Sequence, residues 1–437
     1  MEYYSTHKQT SFTSLKQAII KGLANDGGLY MPKNIVPLDN YIISTMKDMN
    51  FQQIGTIVAQ SLFGDSIETN ILEYIVNETI KFNTPIVNIH DNIYSLELFY
   101  GPTLAFKDIG ARFMALLLKY FIEKEEVENI NVLVATSGDT GSAVANGFLG
   151  IKGINVYILY PKNRVSIAQE YQFTTLGQNI FALEINGTFD DCQALVKSAF
   201  IDKELNTKKL LTSANSINIA RLLPQSFYYF NAYSQLDKIN KAKELVISVP
   251  SGNFGNLCAG LIANKMGLPI KHFIAANNKN NVFFNYLNTG IYAPQPAVET
   301  YANAMDVGNP SNFERIIDLF SSYVNPYQAI TKQISGFSYT DEDITKTIQY
   351  AYDKYEYILD PHGATAYQAL LDKSLSAKES GVFLETAHPA KFKNIIDSIL
   401  GIKIPIPNKL KSFMEGEKHT IELENDFIEF KNYLLQQ

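Results

Sequence analysis

The sequence predicts an α/β protein built on mainly parallel sheets flanked by helices, with a helical segment at the N-terminus. Three observations support this. Short apolar, β-branched runs recur at residues 132–135, 156–159, 180–183, 245–249 and 382–384. Segments with helical spacing separate them, and strands alternating with helices imply βαβ units in a parallel sheet. Glycine-rich turns follow two of the runs directly, where a strand must turn into a helix.

Residues 1–90 read as mostly helical. Apolar residues repeat at helical spacing over 15–23 and 67–82, with turn chemistry between them in Asn25-Asp26-Gly27-Gly28-Leu29-Tyr30-Met31-Pro32. Residues 91–240 form the first expected α/β lobe and 241–437 the second. The polar stretches 206–210 and 238–243 are read as connections. With 437 residues, two or three lobes are expected, because single cores stop growing at roughly 250–300 residues.

The chain carries 37 basic and 44 acidic residues, a net charge of -7. With no basic block, nucleic acid and anionic membrane are disfavoured as partners. The N-terminus lacks the basic-then-apolar pattern of a signal peptide, and the most apolar stretch, 113–122, is too short to span a bilayer. A cytoplasmic protein is expected. Cys192 and Cys258 read as two free thiols, and the six histidines show no metal-ligand spacing.

Ligands in open parallel sheets bind beyond the carboxyl ends of strands. After 132–135 comes Thr136-Ser137-Gly138-Asp139-Thr140-Gly141, whose small residues open a helix and suit a carboxylate or phosphate. An ordinary N-cap turn is the competing reading. After 245–249 comes Pro250-Ser251-Gly252-Asn253-Phe254-Gly255-Asn256, where glycines admit close approach of an anion. It fits neither a Walker loop nor a GxGxxG fingerprint, so a small phosphate monoester is favoured over a nucleotide. After 382–384, the turn Glu385-Thr386-Ala387-His388 supplies a hydroxyl.

Lys107 ends the apolar run Gly101-Pro102-Thr103-Leu104-Ala105-Phe106-Lys107. Desolvation there would favour the neutral amine that condenses with an aldehyde. Taken alone, such a lysine is most often an ordinary surface residue. A condensing lysine, two anion loops and a strand-end hydroxyl together are what pyridoxal 5'-phosphate requires.

The residues also resemble the threonine synthase family in its longer bacterial and fungal form. The resemblance rests on Leu96-Glu97-Leu98-Phe99-Tyr100-Gly101-Pro102-Thr103-Leu104-Ala105-Phe106-Lys107-Asp108, Ala135-Thr136-Ser137-Gly138-Asp139-Thr140-Gly141, Ser213-Ala214-Asn215-Ser216-Ile217-Asn218 and Val249-Pro250-Ser251-Gly252-Asn253-Phe254-Gly255. Asp26-Gly27-Gly28-Leu29-Tyr30, Asn303-Ala304-Met305-Asp306-Val307-Gly308 and Thr386-Ala387-His388-Pro389-Ala390-Lys391-Phe392 extend it over residues 26–392.

The resemblance implies a two-lobed, fold type II enzyme, similar to tryptophan synthase β, with the cofactor between the lobes. It implies a lyase that makes L-threonine and phosphate from O-phospho-L-homoserine and water. Lys107 resembles the Schiff-base lysine. Gly252, Asn253, Phe254, Gly255 and Asn256 resemble the cofactor-phosphate loop, Thr386 the hydroxyl facing the pyridine nitrogen, and Asp139 a residue on the pyridine-hydroxyl side. Ser137 and Thr140 are implied for the substrate carboxylate, and Asn215, Ser216 and Arg221 for its phosphate, since a guanidinium grips phosphate bidentately. A monomer or homodimer is expected. The alternatives are another lyase of this fold, such as a serine/threonine dehydratase, or a non-catalytic relative. His362 and His388 read equally well as structural turn histidines, and the Met305-Asp306-Val307 stretch has no role legible in the sequence.

Overall fold

Two sheets, each made of strands joined through helices, organise the chain. The computed structural model describes residues 1–125 and 129–437. It divides into two compact units: Met1, 31–106 and 222–405 form the first, and 2–30, 107–221 and 406–437 the second.

The first unit holds six strands in the order Ile334–Ser338, Ile270–Asn277, Leu245–Pro250, Ser380–Glu385, Ile93–Glu97, Ile86–His90. Neighbours run parallel except the last two, which form an antiparallel pair. Val246, Ile247, Val249, Val382, Phe383 and Leu384 are all buried. Strands covered on both faces read as unbroken apolar runs, which is why these two are visible in the sequence.

The second unit holds five parallel strands in the order Ile421–Glu424, Ile180–Asn186, Ile154–Pro161, Ile130–Ala135, Leu210–Ser213. Its C-terminal piece supplies an edge strand and the Phe427–Gln436 helix, whose Phe430 and Leu434 join Leu183, Leu159 and Tyr157 in one core. Burying each such side chain stabilises the fold by roughly 1.5–3 kcal/mol. Lys431 reinforces the join, 2.9 Å from both Asp202 and Glu204.

The units therefore differ from the expected cuts at 90 and 240. Residues 406–437 return to the second unit because their strand completes its sheet, a pairing no local pattern announces. The stretches 206–210 and 238–243 lie inside units: the first ends the Lys203–Lys208 helix and starts a strand, and the second links the Ser226–Lys238 helix to the Leu245–Pro250 strand. The first ninety residues are not helical alone. They contain Glu2–Ser5, paired antiparallel with Thr13–Ser14, and Ile86–His90.

Asp26-Gly27-Gly28 proves to be a structural turn. The Asp26 carboxylate accepts from Ser5 Oγ at 2.6 Å, Gly28 N at 3.0 Å and Gln9 N at 3.1 Å. A Cβ on Gly28 would fall 2.2 Å from Ser5 Oγ. Among the described residues, no helix is long and apolar enough to cross a membrane.

Candidate active site

In the first unit, the 252–256 loop and Thr386 leave the carboxyl ends of adjacent strands, Leu245–Pro250 and Ser380–Glu385. The loop feeds the Gly255–Lys265 helix through Phe254, which adopts the left-handed conformation at φ 59°. A Cβ on Gly252 would lie 2.6 Å from Met305 Cα and 3.0 Å from the Ala304 carbonyl, so the backbone here is pressed against its support. The Asn256 side-chain oxygen accepts from Tyr229 OH at 2.6 Å. Its Nδ2 is buried with no hydrogen-bond partner among the described residues. A buried amide donor at a helix N-terminus suits an anion.

The segment around Met305-Asp306-Val307 now gains a role. The Asp306 carboxylate accepts from Thr300 Oγ1 (2.7 Å), Asn278 Nδ2 (2.8 Å), Thr300 N (3.0 Å) and Asn280 Nδ2 (3.1 Å). Burial pushes this carboxyl up to about 7, against the downward pull of those hydrogen bonds. Further on, Ser311 N donates to Asn253 Oδ1 at 2.5 Å and Asn312 Nδ2 to the Asn253 carbonyl at 2.9 Å. The segment is thus the scaffold against which the 252–256 loop is moulded.

The run before Lys107 is held in the same unit. Phe106 N donates to the Thr386 carbonyl at 2.9 Å and His388 N to the Leu104 carbonyl at 3.0 Å. Tyr228 OH also donates to the Phe106 carbonyl. Lys391 Nζ reaches the Thr103 carbonyl at 2.9 Å, and Leu104 takes φ 59°. The next residue, the half-buried Lys107, opens the Lys107–Glu125 helix of the second unit.

In the second unit, the adjacent strands Ile130–Ala135 and Leu210–Ser213 end at the other candidates. Thr136, part of the loop read from the sequence but given no role of its own there, organises the 137–140 turn: its hydroxyl accepts from Gly138 N (2.9 Å) and Gly141 N (2.8 Å). Gln169 was missed in the sequence. Its amide donates to Asp139 Oδ1 at 2.8 Å, and a Cβ on Gly138 would lie 2.5–2.7 Å from all three of its terminal atoms. Its neighbour Ser166 is a legible N-cap, yet nothing local could reveal a contact thirty residues away.

The Asn215 amide pairs with both backbone groups of Ala135, at 2.8 Å and 3.3 Å, in the manner of a strand. Ser216 is half-buried and Arg221 buried. Arg221 Nη1 donates to the Ala214 carbonyl. A Cβ on Gly110 would touch the Arg221 carbonyl at 2.6 Å and Nε at 3.4 Å. Arg221 therefore packs on the first turn of the helix that Lys107 opens.

His388 is a half-buried turn residue: its Nδ1 accepts from Ala390 N at 3.1 Å and its ring meets Phe99 edge-on at 5.2 Å. Burial, and then the charge of Lys391, lower it to about 4; burial and Lys373 do the same to His272. An unfolded histidine titrates near ~6.5. Between that value and 4 the unfolded chain binds the proton and the folded chain does not, so stability falls as pH drops through this window. The urea midpoint is expected to decline from pH 7 to pH 4, and His388→Asn to flatten part of that slope.

With this geometry in hand, the family models are informative. Residues 2–80 match the threonine synthase N terminus, 79–386 the pyridoxal-phosphate-dependent enzymes, and 362–434 the threonine synthase C-terminal model. A threonine synthase of Haemophilus influenzae is 44% identical over 436 residues, covering 100% of both chains. The chain belongs to the threonine synthase family. Its fold is similar to the crystal structure of the Escherichia coli threonine synthase, with TM-score 0.93, 40% identity and full coverage of both chains. It is also similar to a pyridoxal-phosphate-bound threonine synthase of Brucella melitensis, with TM-score 0.92, 32% identity and coverage of 100% and 99%.

The chain is accordingly a pyridoxal-phosphate-dependent lyase of fold type II, and the expected fold class and cofactor hold. The residues present fit that cofactor. The pressed Gly252 backbone, the Asn256 Nδ2 without a partner among the described residues and the N-terminus of the Gly255–Lys265 helix would suit a phosphate group.

Proposed function

We propose that the chain converts O-phospho-L-homoserine and water to L-threonine and inorganic phosphate, as a cytoplasmic monomer or homodimer without nucleic-acid partners. The observation that carries this reading is the pairing of a cradle fitted to a cofactor phosphate with a separate buried cation, Arg221, beside the Lys107 helix. A dehydratase has no use for the second. The absence of a basic block in a chain of net charge -7 supports a small-molecule substrate over nucleic acid.

Bound pyridoxal phosphate would supply an aldehyde that captures amines and a conjugated ring that withdraws electrons. In this proposal the 252–256 loop holds its phosphate, the Thr386 hydroxyl faces its ring nitrogen, and Asp139, oriented by Gln169, lies on the ring-hydroxyl side. Ser137 and Thr140 bind the substrate carboxylate at the start of the Asp139–Phe148 helix. Arg221 and Ser216 bind the substrate phosphate, while Asn215, engaged with Ala135, shapes that pocket. The neutral Lys107 amine takes the α-proton and later returns one. A β-proton is lost as phosphate departs from the γ-carbon with the electrons of the C–O bond; the γ-carbon then takes up a proton to become a methyl group, and water adds its hydroxyl at the β-carbon and releases its other proton.

Mixing the protein with cofactor and O-phospho-L-homoserine should yield phosphate and threonine in equal amounts. Phosphate accompanied by a keto acid would refute the proposal in favour of an eliminase. Arg221→Lys keeps the charge but loses the bidentate fork. It is expected to raise KM for the substrate by about 10- to 100-fold, the equivalent of one charge-assisted hydrogen bond of roughly 1.5–3 kcal/mol. The thermal midpoint serves as control for the lost Ala214 contact.

A further inference from the structure

We propose that Asp360 and His362 are a positioning pair that fixes the Thr386 turn and the 252–256 loop in one mutual register. The inference rests on the assignment of those two elements to the cofactor.

Asp360 caps the Pro361–Lys373 helix and is fully buried. Its Oδ2 accepts from Ala387 N at 3.2 Å, and its own N–H donates to Glu385 Oε1 at 2.5 Å. Glu385 and Ala387 are the two residues flanking Thr386, so one aspartate grips the chain on both sides of that hydroxyl. Gly363 leaves the room this requires, since a Cβ there would collide with the Glu385 carboxyl group.

The other carboxylate oxygen of Asp360 accepts from His362 N at 2.7 Å and lies 2.5 Å from His362 Nδ1. His362 Nε2 accepts from Ala304 N at 3.2 Å. An imidazole nitrogen that accepts carries no proton, so the ring proton sits on Nδ1 and is donated to Asp360. Ala304 and Met305 are the residues pressed on Gly252. The path Thr386 turn, Asp360, His362, Ala304, Gly252 is continuous and buried except at the half-buried Ala304, and every link is a hydrogen bond or a close backbone contact. In such a site, a support that loosens by an ångström costs more function than stability.

Two substitutions separate the links. The Asn amide reaches about where Nδ1 sits and the Gln amide about where Nε2 sits. His362→Asn therefore keeps the bond to Asp360 and drops Ala304, whereas His362→Gln keeps an acceptor for Ala304. Equilibrium binding of pyridoxal phosphate to the apo-protein is measured by the visible absorbance of the bound cofactor, at a temperature where circular dichroism shows every variant folded. His362→Asn is expected to raise the cofactor Kd about tenfold or more, and His362→Gln to recover most of that loss. Substrate KM at saturating cofactor should stay near the wild-type value. Cofactor affinity within twofold of wild type in a His362→Asn protein with a lowered thermal midpoint would overturn the proposal and leave the pair a structural cap. Gly252→Ala and Thr386→Ala are run in parallel: unchanged cofactor affinity in both would overturn the assignment of the two elements themselves.

Discussion

Replacing Lys107 by alanine is expected to abolish threonine formation, by about 10⁴-fold or more, while leaving the protein folded. The residue is asked to do two jobs, capturing the cofactor through its amine and moving protons at the substrate's α-carbon. General acid–base catalysis alone contributes typically ~10²–10⁴-fold, and loss of the covalent attachment adds to that. Lys107 is half-buried at the first position of its helix, and a thermal melt separates any structural cost from the lost chemistry. The position itself is set by the anchored run 103–106, whose bonds to Thr386, Tyr228 and Lys391 do not involve the Lys107 side chain. Rates of phosphate and threonine release, with a thermal melt beside them, check both halves. Retention of more than about a hundredth of wild-type activity would remove Lys107 from the chemistry.

The second large effect is expected at Gly252. Alanine would put a methyl group 2.6 Å from Met305 Cα and 3.0 Å from the Ala304 carbonyl. Both neighbours are backbone, and both belong to a segment tied down by Asp306 through four hydrogen bonds. Neither can swing aside as a flexible side-chain end would. Overpacking a tight site costs typically ~1–3 kcal/mol. Here the strain falls on the loop proposed to hold the cofactor phosphate, so the loss should appear mainly in cofactor affinity, by about 10- to 100-fold. Titration of the apo-protein with pyridoxal phosphate measures it. Gly177→Ala, with nothing within 4 Å of the added carbon but a φ of 62°, strains the backbone outside the 252–256 loop and so controls for lost stability without a reshaped loop.

These two residues also mark what could be read from the sequence. Lys107, the 252–256 loop and the 137–140 turn were legible because each follows an apolar strand or run, where local chemistry and the carboxyl-end rule for parallel sheets coincide. The buried strands at 245–249 and 382–384 were legible for the same reason. Edge strands such as Ile421–Glu424 were not, since half-exposed, mixed-polarity segments become strands only once a partner edge exists. The supporting residues were hidden in the same way. Asp306 stood inside a recognised motif, yet its partners lie at 278, 280 and 300. Asp360 and His362 were legible as a helix start, with an N-cap and proline at the first position. Their bonds to Ala387 and Ala304 depend on the assembled unit. Sequence thus exposes candidate ligand-binding residues on turns more readily than residues that hold those turns.

The central claim is that phosphate leaves from carbon and that water enters at the neighbouring carbon. Turnover in water enriched in oxygen-18 tests it directly. The account predicts one labelled oxygen in the threonine hydroxyl and none in the released phosphate. Label in the phosphate, with none in the amino-acid product, would mean hydrolysis at phosphorus and would contradict it.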